Sequence, residues 1–148
     1  MKLSSHFTLS EMTRSDAATR YGLVNSAPLD AIERMKALCQ HILEPARTHF
    51  GPIYINSGYR SLEVNKLIGG AKTSQHMKGE AADIESEKTT NFELARWIAD
   101  NCPYDQVILE YYKEGDPRAG WVHVSYSDKN RRELLTFDGK AYTKGLLP

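Results

Sequence analysis

Two alternating runs limit the folds open to this chain more than any other feature. DQVILEYY (105–112) and GWVHVSYS (120–127) are separated by KEGDPRA, a stretch rich in turn formers. Alternation with period two, bounded by Gly, Pro and Asp, reads as a β-hairpin. In the second run Val122 and Val124 share one face, and Trp121, His123 and Ser125 share the other. Pairing therefore buries the valines and holds an imidazole on the opposite face. A pairing centre between Asp116 and Pro117 would set Glu110 directly across from His123, with Cβ atoms ~5 Å apart.

Helical patterns supply the rest of the core. Leu29, Ile32, Met35, Leu38, Cys39, Ile42, Leu43 and Ala46 recur at helical spacing. Ser26 is the expected N-cap, Gly51-Pro52 the stop, and Pro45 an interior break, since proline has no backbone donor. Residues 1–25 read as an arm with short helical turns, capped by Thr8 or Ser10 and by Ser15. PIYINSGYR reads as a strand running into a loop, SLEVNKLIGG as a short helix and AADIE as a short strand. TTNFELARWIADN reads as a helix capped by Thr90 or Asn91, and LLTFDGKAYTKG as a further strand and turn. These elements predict one α+β domain over residues 1–148, a small antiparallel sheet with helices packed on one side.

Composition bounds the function. The chain has 148 residues, 41% hydrophobic and 26% charged, with zero formal net charge. Zero charge argues against a nucleic-acid partner or an anionic membrane surface, which call for a basic surplus. No apolar run approaches the ~18 residues of a membrane span. The N-terminus MKLSSHFTLSEMTRS lacks the apolar core of a secretory signal, so synthesis in the cytoplasm is expected. Cys39 and Cys102 lack metal-type spacing and read as buried thiols.

The chemistry concentrates in TSQHMKGEAADIE (73–85). His76 and Asp83 are separated by Gly79, Ala81 and Ala82, small residues that let the chain turn back and approach closely. His6, His41 and His49 stand alone and read as surface or half-buried residues. His76, Asp83 and His123 together make two imidazoles and one carboxylate, a three-ligand set for a catalytic Zn²⁺. Glu110 is the candidate general base, with Glu85 and Asp116 as competing carboxylates. Arg60, directly after a strand in SGYR and in the loop region of these residues, is a candidate functional residue, the alternative being a surface salt-bridge partner.

The run SQHMKGEAAD (74–83) resembles the S-x-H-x-x-G-x-A-x-D signature of the zinc D-Ala-D-Ala carboxypeptidase family, the M15 peptidases. Ser74, His76, Gly79, Ala81 and Asp83 occupy its fixed positions. Ser57-Gly58-Tyr59-Arg60 and Trp121-x-His123 resemble two further family motifs, and the likeness runs from about residue 27 to 127. It implies the hedgehog-like peptidase fold, one zinc per chain held by His76, Asp83 and His123, and a substrate side formed by Arg60 and Ser74. The implied substrate is a peptidoglycan stem peptide, cut by a monomer that reaches the wall after release or within a phage particle. In several members the catalytic carboxylate lies three residues before the last histidine, where this chain has Gly120. DQVILEYY is similar instead to the prophage-encoded branch, where a glutamate on the preceding strand takes the role, here Glu110. The bond cut stays open between D-Ala-D-Ala, L-Ala-D-Glu and a cross-bridge. The alternative is a non-catalytic zinc-bearing binding or virion structural module; a metal-free interaction domain would need His76 and His123 far apart.

Overall fold

The computed structural model describes residues 1–116 and 119–147. In the arm, Thr8 and Glu11 form a capping box at the start of α1 (Leu9–Thr13), and Ser15 caps α2 (Asp16–Tyr21). Phe7 and Met12 are buried, so the arm is anchored in the core. The long helical pattern is realised in three pieces: α3 (Leu29–Leu38), a π-helical turn (Cys39–Leu43) and α4 (Glu44–Phe50). Pro45 sits in the first turn of α4, where a missing N–H costs least. The break is thus taken up just before the proline, where Glu44 N–H reaches back to the Cys39 carbonyl. Ser26 does not cap α3. Pro28 occupies that position without a side-chain bond.

The remaining elements are β1 (Ile53–Ser57), α5 (Leu62–Leu67), a 3₁₀ turn (Gln75–Lys78), β2 (Ala81–Ser86), α6 (Asn91–Asn101), β3 (Gln106–Glu110), β4 (Trp121–Ser125), β5 (Glu133–Phe137) and β6 (Tyr142–Lys144). Thr90 caps α6 and Ser61 caps α5. The strands form one sheet in the order β1-β2-β4-β3-β5-β6. Its inner face presents Ile53, Ile55, Ala82, Ile84, Val107, Leu109, Val122 and Val124 to Met35, Leu38, Ile42, Leu43, Leu94 and Ile98 of the helical layer. Each such side chain, fully buried, contributes on the order of 1.5–3 kcal/mol. The opposite face is open and carries the polar residues.

The α+β class predicted above holds, with one difference in the sheet. β3 and β5 run parallel. The chain leaves the end of β4, passes round the start of β3 and enters its far edge, and Asp105 fixes that short connection. Its buried carboxylate accepts from the Arg131 backbone N–H at 2.8 Å and from Arg131 Nε and Nη2 at 3.1 and 2.9 Å.

The β3–β4 register also differs from the expectation. Glu110 pairs with Trp121, and Ile108 with His123. An isolated bridge between Lys113 and Asp116 forms a local turn at Glu114–Gly115, outside the register of the ladder. The expected centre involved Pro117, which lies outside the described residues. The displacement is two residues, one full side-chain period, so Glu110 keeps the face of His123 but sits diagonally from it. The isolated histidines serve packing: His6 bonds Glu44, His41 stacks on Tyr126 and His49 on Trp97.

Candidate metal centre

Asp83 and His123 are direct cross-strand partners on the open face. Their side chains converge, with His123 Nδ1 3.1 Å from Asp83 Oδ1. His76 arrives from the 3₁₀ turn. Ser74 caps that turn, its Oγ accepting the His76 N–H at 3.2 Å. Gly79 ends it with φ +78°, and a Cβ there would stand 2.4 Å from the Ala31 carbonyl. Any other residue would push the turn off α3, which explains the glycine between His76 and Asp83.

The His76 ring is buried and its tautomer is set. Nδ1 lies 2.7 Å from the Gly58 carbonyl, which can only accept, so Nδ1 carries the proton. Nε2 is then a lone pair, 3.4 Å from Asp83 Oδ1. Burial disfavours imidazolium and draws the His76 pKa down, against the pull of Asp83. Burial pushes the Asp83 carboxyl up, but the two imidazoles outweigh it and hold it well below the usual range. A neutral nitrogen lone pair thus faces a carboxylate oxygen, an arrangement that a cation between them stabilises. The three side chains offer ligand atoms all within 4.8 Å of one another. Two nitrogens and one oxygen suit zinc rather than magnesium or calcium, which favour oxygen shells.

Around these groups runs a cleft of ≈ 850 Å³. It is lined by Arg60, Ser74, His76, Asp83, Glu110 and His123, so the fold brings these six residues to one place. Glu110 Oε2 accepts from Trp121 Nε1 at 2.8 Å. Burial pushes the Glu110 carboxyl up, and so does Asp83; His123, the indole N–H and Arg60 only partly offset this. Gly120 has φ +72°, and a Cβ there would lie 2.0 Å from the Glu110 carbonyl oxygen. The backbone therefore leaves no room for a carboxylate at that position. Of the competitors, Glu85 accepts from Asn56 at 2.8 Å and borders a separate cavity.

Arg60 reaches the cleft with its Nε buried and without a hydrogen-bond partner. Burial lowers the proton affinity of its guanidinium, while Asp83 and Glu110 raise it. Its loop is tied to the arm: Asn25 Nδ2 donates to Thr13 and Tyr59 carbonyls at 2.8 and 3.0 Å, and Asn25 Oδ1 accepts from Ser61 N–H at 2.7 Å. Sequence reading missed Asn25, and no local pattern distinguishes it. It also missed Arg131, Leu135 and Tyr142, which line the cleft from the C-terminal segment. Tyr111 lines the cleft, whereas Tyr59 is buried in the core.

The open sheet face thus brings together a nitrogen–oxygen ligand set that could hold a metal ion, a flanking carboxylate and a nearby guanidinium. The sequence matches the family described as Peptidase M15 over residues 5–125. The chain belongs to that family. It is 37% identical over 82 residues to the zinc D-Ala-D-Ala carboxypeptidase of Streptomyces albus G, a stretch covering 53% of this chain and 31% of that relative. The match thus spans less than a third of the relative's length.

Proposed function

We propose that this chain is a zinc-dependent peptidase that hydrolyses peptide bonds next to D-amino acids in peptidoglycan stem peptides. The observation that carries the reading is the His76 Nε2 lone pair facing the Asp83 carboxylate, with His123 on the same oxygen. His76, Asp83 and His123 would hold one zinc ion per chain. When bound, zinc polarises the scissile carbonyl and brings the pKa of water toward ~7.

The other roles fall to the chain itself. Glu110 accepts the proton of the attacking water and returns it to the leaving amine. Burial raises its proton affinity above that of a free carboxylate, which favours taking up a proton. Arg60 binds a substrate carboxylate or carbonyl and turns the peptide across the cleft. Ser74 sets the His76 turn and borders the substrate path. The His76 Nδ1–H bond to Gly58 fixes the ligand orientation before substrate arrives. The relative's name supports a D-Ala-D-Ala carboxypeptidase; as an endolysin-type endopeptidase the chain would use the same residues on an internal bond.

The test is digestion of purified peptidoglycan by the zinc-loaded protein, with new termini identified by mass spectrometry. Release of termini next to D-residues supports the reading. An unaltered wall with one zinc per chain bound would instead establish a non-catalytic zinc-bearing module.

A further inference from the structure

Gly120 cannot supply the base, and the chain has built a separate support for Glu110. Glu110 and Trp121 are directly paired across β3 and β4, and the indole N–H bonds Glu110 Oε2 at 2.8 Å. Behind the indole stands Tyr111, with ring centroids 5.1 Å apart. Tyr111 holds φ +57°, an unusual conformation for a bulky side chain. Its ring meets Phe137 edge-on at 5.4 Å, and Phe137 stacks on Tyr142 at 4.4 Å. A Cβ at Gly139 would lie 2.9 Å from the Tyr111 ring, so the β5–β6 turn closes directly onto it. Phe137, Gly139 and Tyr142 all lie beyond the family match, which ends at residue 125.

We infer that Trp121 is a positioning residue for the general base, and that the β5–β6 hairpin, through Tyr111, is its buttress. The indole fixes one oxygen of Glu110 and the other takes the proton. Without the N–H the carboxylate is free to rotate away from the reacting water. Removing a donor to the ionised form also makes that form less favourable. The activity limb that needs ionised Glu110 then moves to higher pH. This inference rests on the proposed peptidase reading and on Glu110 as its base.

The test compares wild type, Trp121→Phe, Tyr111→Leu and Glu110→Gln, each at full zinc occupancy, on one synthetic stem peptide. Trp121→Phe keeps an aromatic ring and loses only the donor. It is expected to lower kcat by ~10–100-fold, the usual cost of losing a supporting hydrogen bond at a metal site, with KM little changed. Its acidic limb should move to higher pH. Tyr111→Leu should shift the limb in the same direction by less. A readout independent of turnover is the Trp121 indole N–H resonance, separable from the other indole, Trp97, in this two-tryptophan chain. In zinc-loaded wild type it should shift with pH, and that titration should vanish in Glu110→Gln. A Trp121→Phe protein with unchanged kcat and an unmoved limb overturns the inference. So does one whose activity falls only in step with lost zinc or lowered Tm. A fully active Glu110→Gln protein overturns the assignment of the base instead, and this inference falls with it.

Discussion

Asp83 is the point on which the site converges, because one of its oxygens meets an imidazole from its own sheet and another from a separate turn. Replacing His76 or Asp83 with Ala should abolish zinc retention, read as metal per chain by elemental analysis, against one per chain for wild type. Arg60→Lys should keep the zinc and slow turnover of stem peptide, since an ammonium cannot make the two-pronged bond of a guanidinium. An equally fast lysine variant would show that Arg60 does not hold substrate. Gly120→Glu, which would place a carboxylate where several family members have one, should not improve activity. Its Cβ has no room against the Glu110 carbonyl, and φ +72° adds strain of ~1–3 kcal/mol. A lower Tm than wild type checks this. The convergence of His76 and Asp83 was legible because a short segment carries both and the small residues that fold them together. Asn25 was not, because its three bonds reach residues 13, 59 and 61, and only tertiary structure brings these together.

At the scale of elements, alternation gave the faces of β3 and β4 correctly, and pairing about the centre of the loop misled about their register. Pairing about the loop centre at Asp116–Pro117 was expected, whereas the ladder sets Glu110 against Trp121, two residues away. Because the slip equals one pleat period, Glu110 still faces the cleft. The parallel β3–β5 pair was not legible, since nothing local to residues 133–137 states which strand they join or in which direction. The direction follows from Asp105, which anchors Arg131 at the start of β3. Asp105→Ala should cost about 1.5–3 kcal/mol from the lost charge-assisted bonds, seen as a lower denaturation midpoint. Amide exchange should accelerate first in β5 and β6 rather than in β1 and β2. A uniform change across the sheet would contradict this account of the connection.

For the whole molecule, the helical layer and the inner sheet face make one core, and the arm is part of it. Among the described residues no helix is long and apolar enough to cross a membrane. Stability should depend on acid through carboxyls bonded in the native state. Burial pushes Asp105 up, but Arg131 and Gln75 hold it well below the usual range. Burial likewise pushes Glu44 up, but bonds from Ser4 and His6 bring it down. A carboxyl with a lowered folded pKa stabilises fully above its unfolded value, about 4, and loses that contribution as pH falls toward the folded value. Zinc-free protein should therefore begin to lose Tm below about pH 6.5, where His76 takes up a proton in the unfolded chain that its buried ring resists, and should lose it further below about pH 4 as the carboxyls protonate. A Tm unchanged down to pH 3 would contradict it.

The central claim joins a zinc held by His76, Asp83 and His123 to a base on the neighbouring strand. It is tested most directly by the rate of stem-peptide hydrolysis by Glu110→Gln at zinc occupancy equal to wild type. The account predicts one zinc per chain in both proteins and a rate ~10²–10⁴ lower in the variant, the usual share of general acid–base catalysis. An undiminished rate at equal occupancy would contradict it.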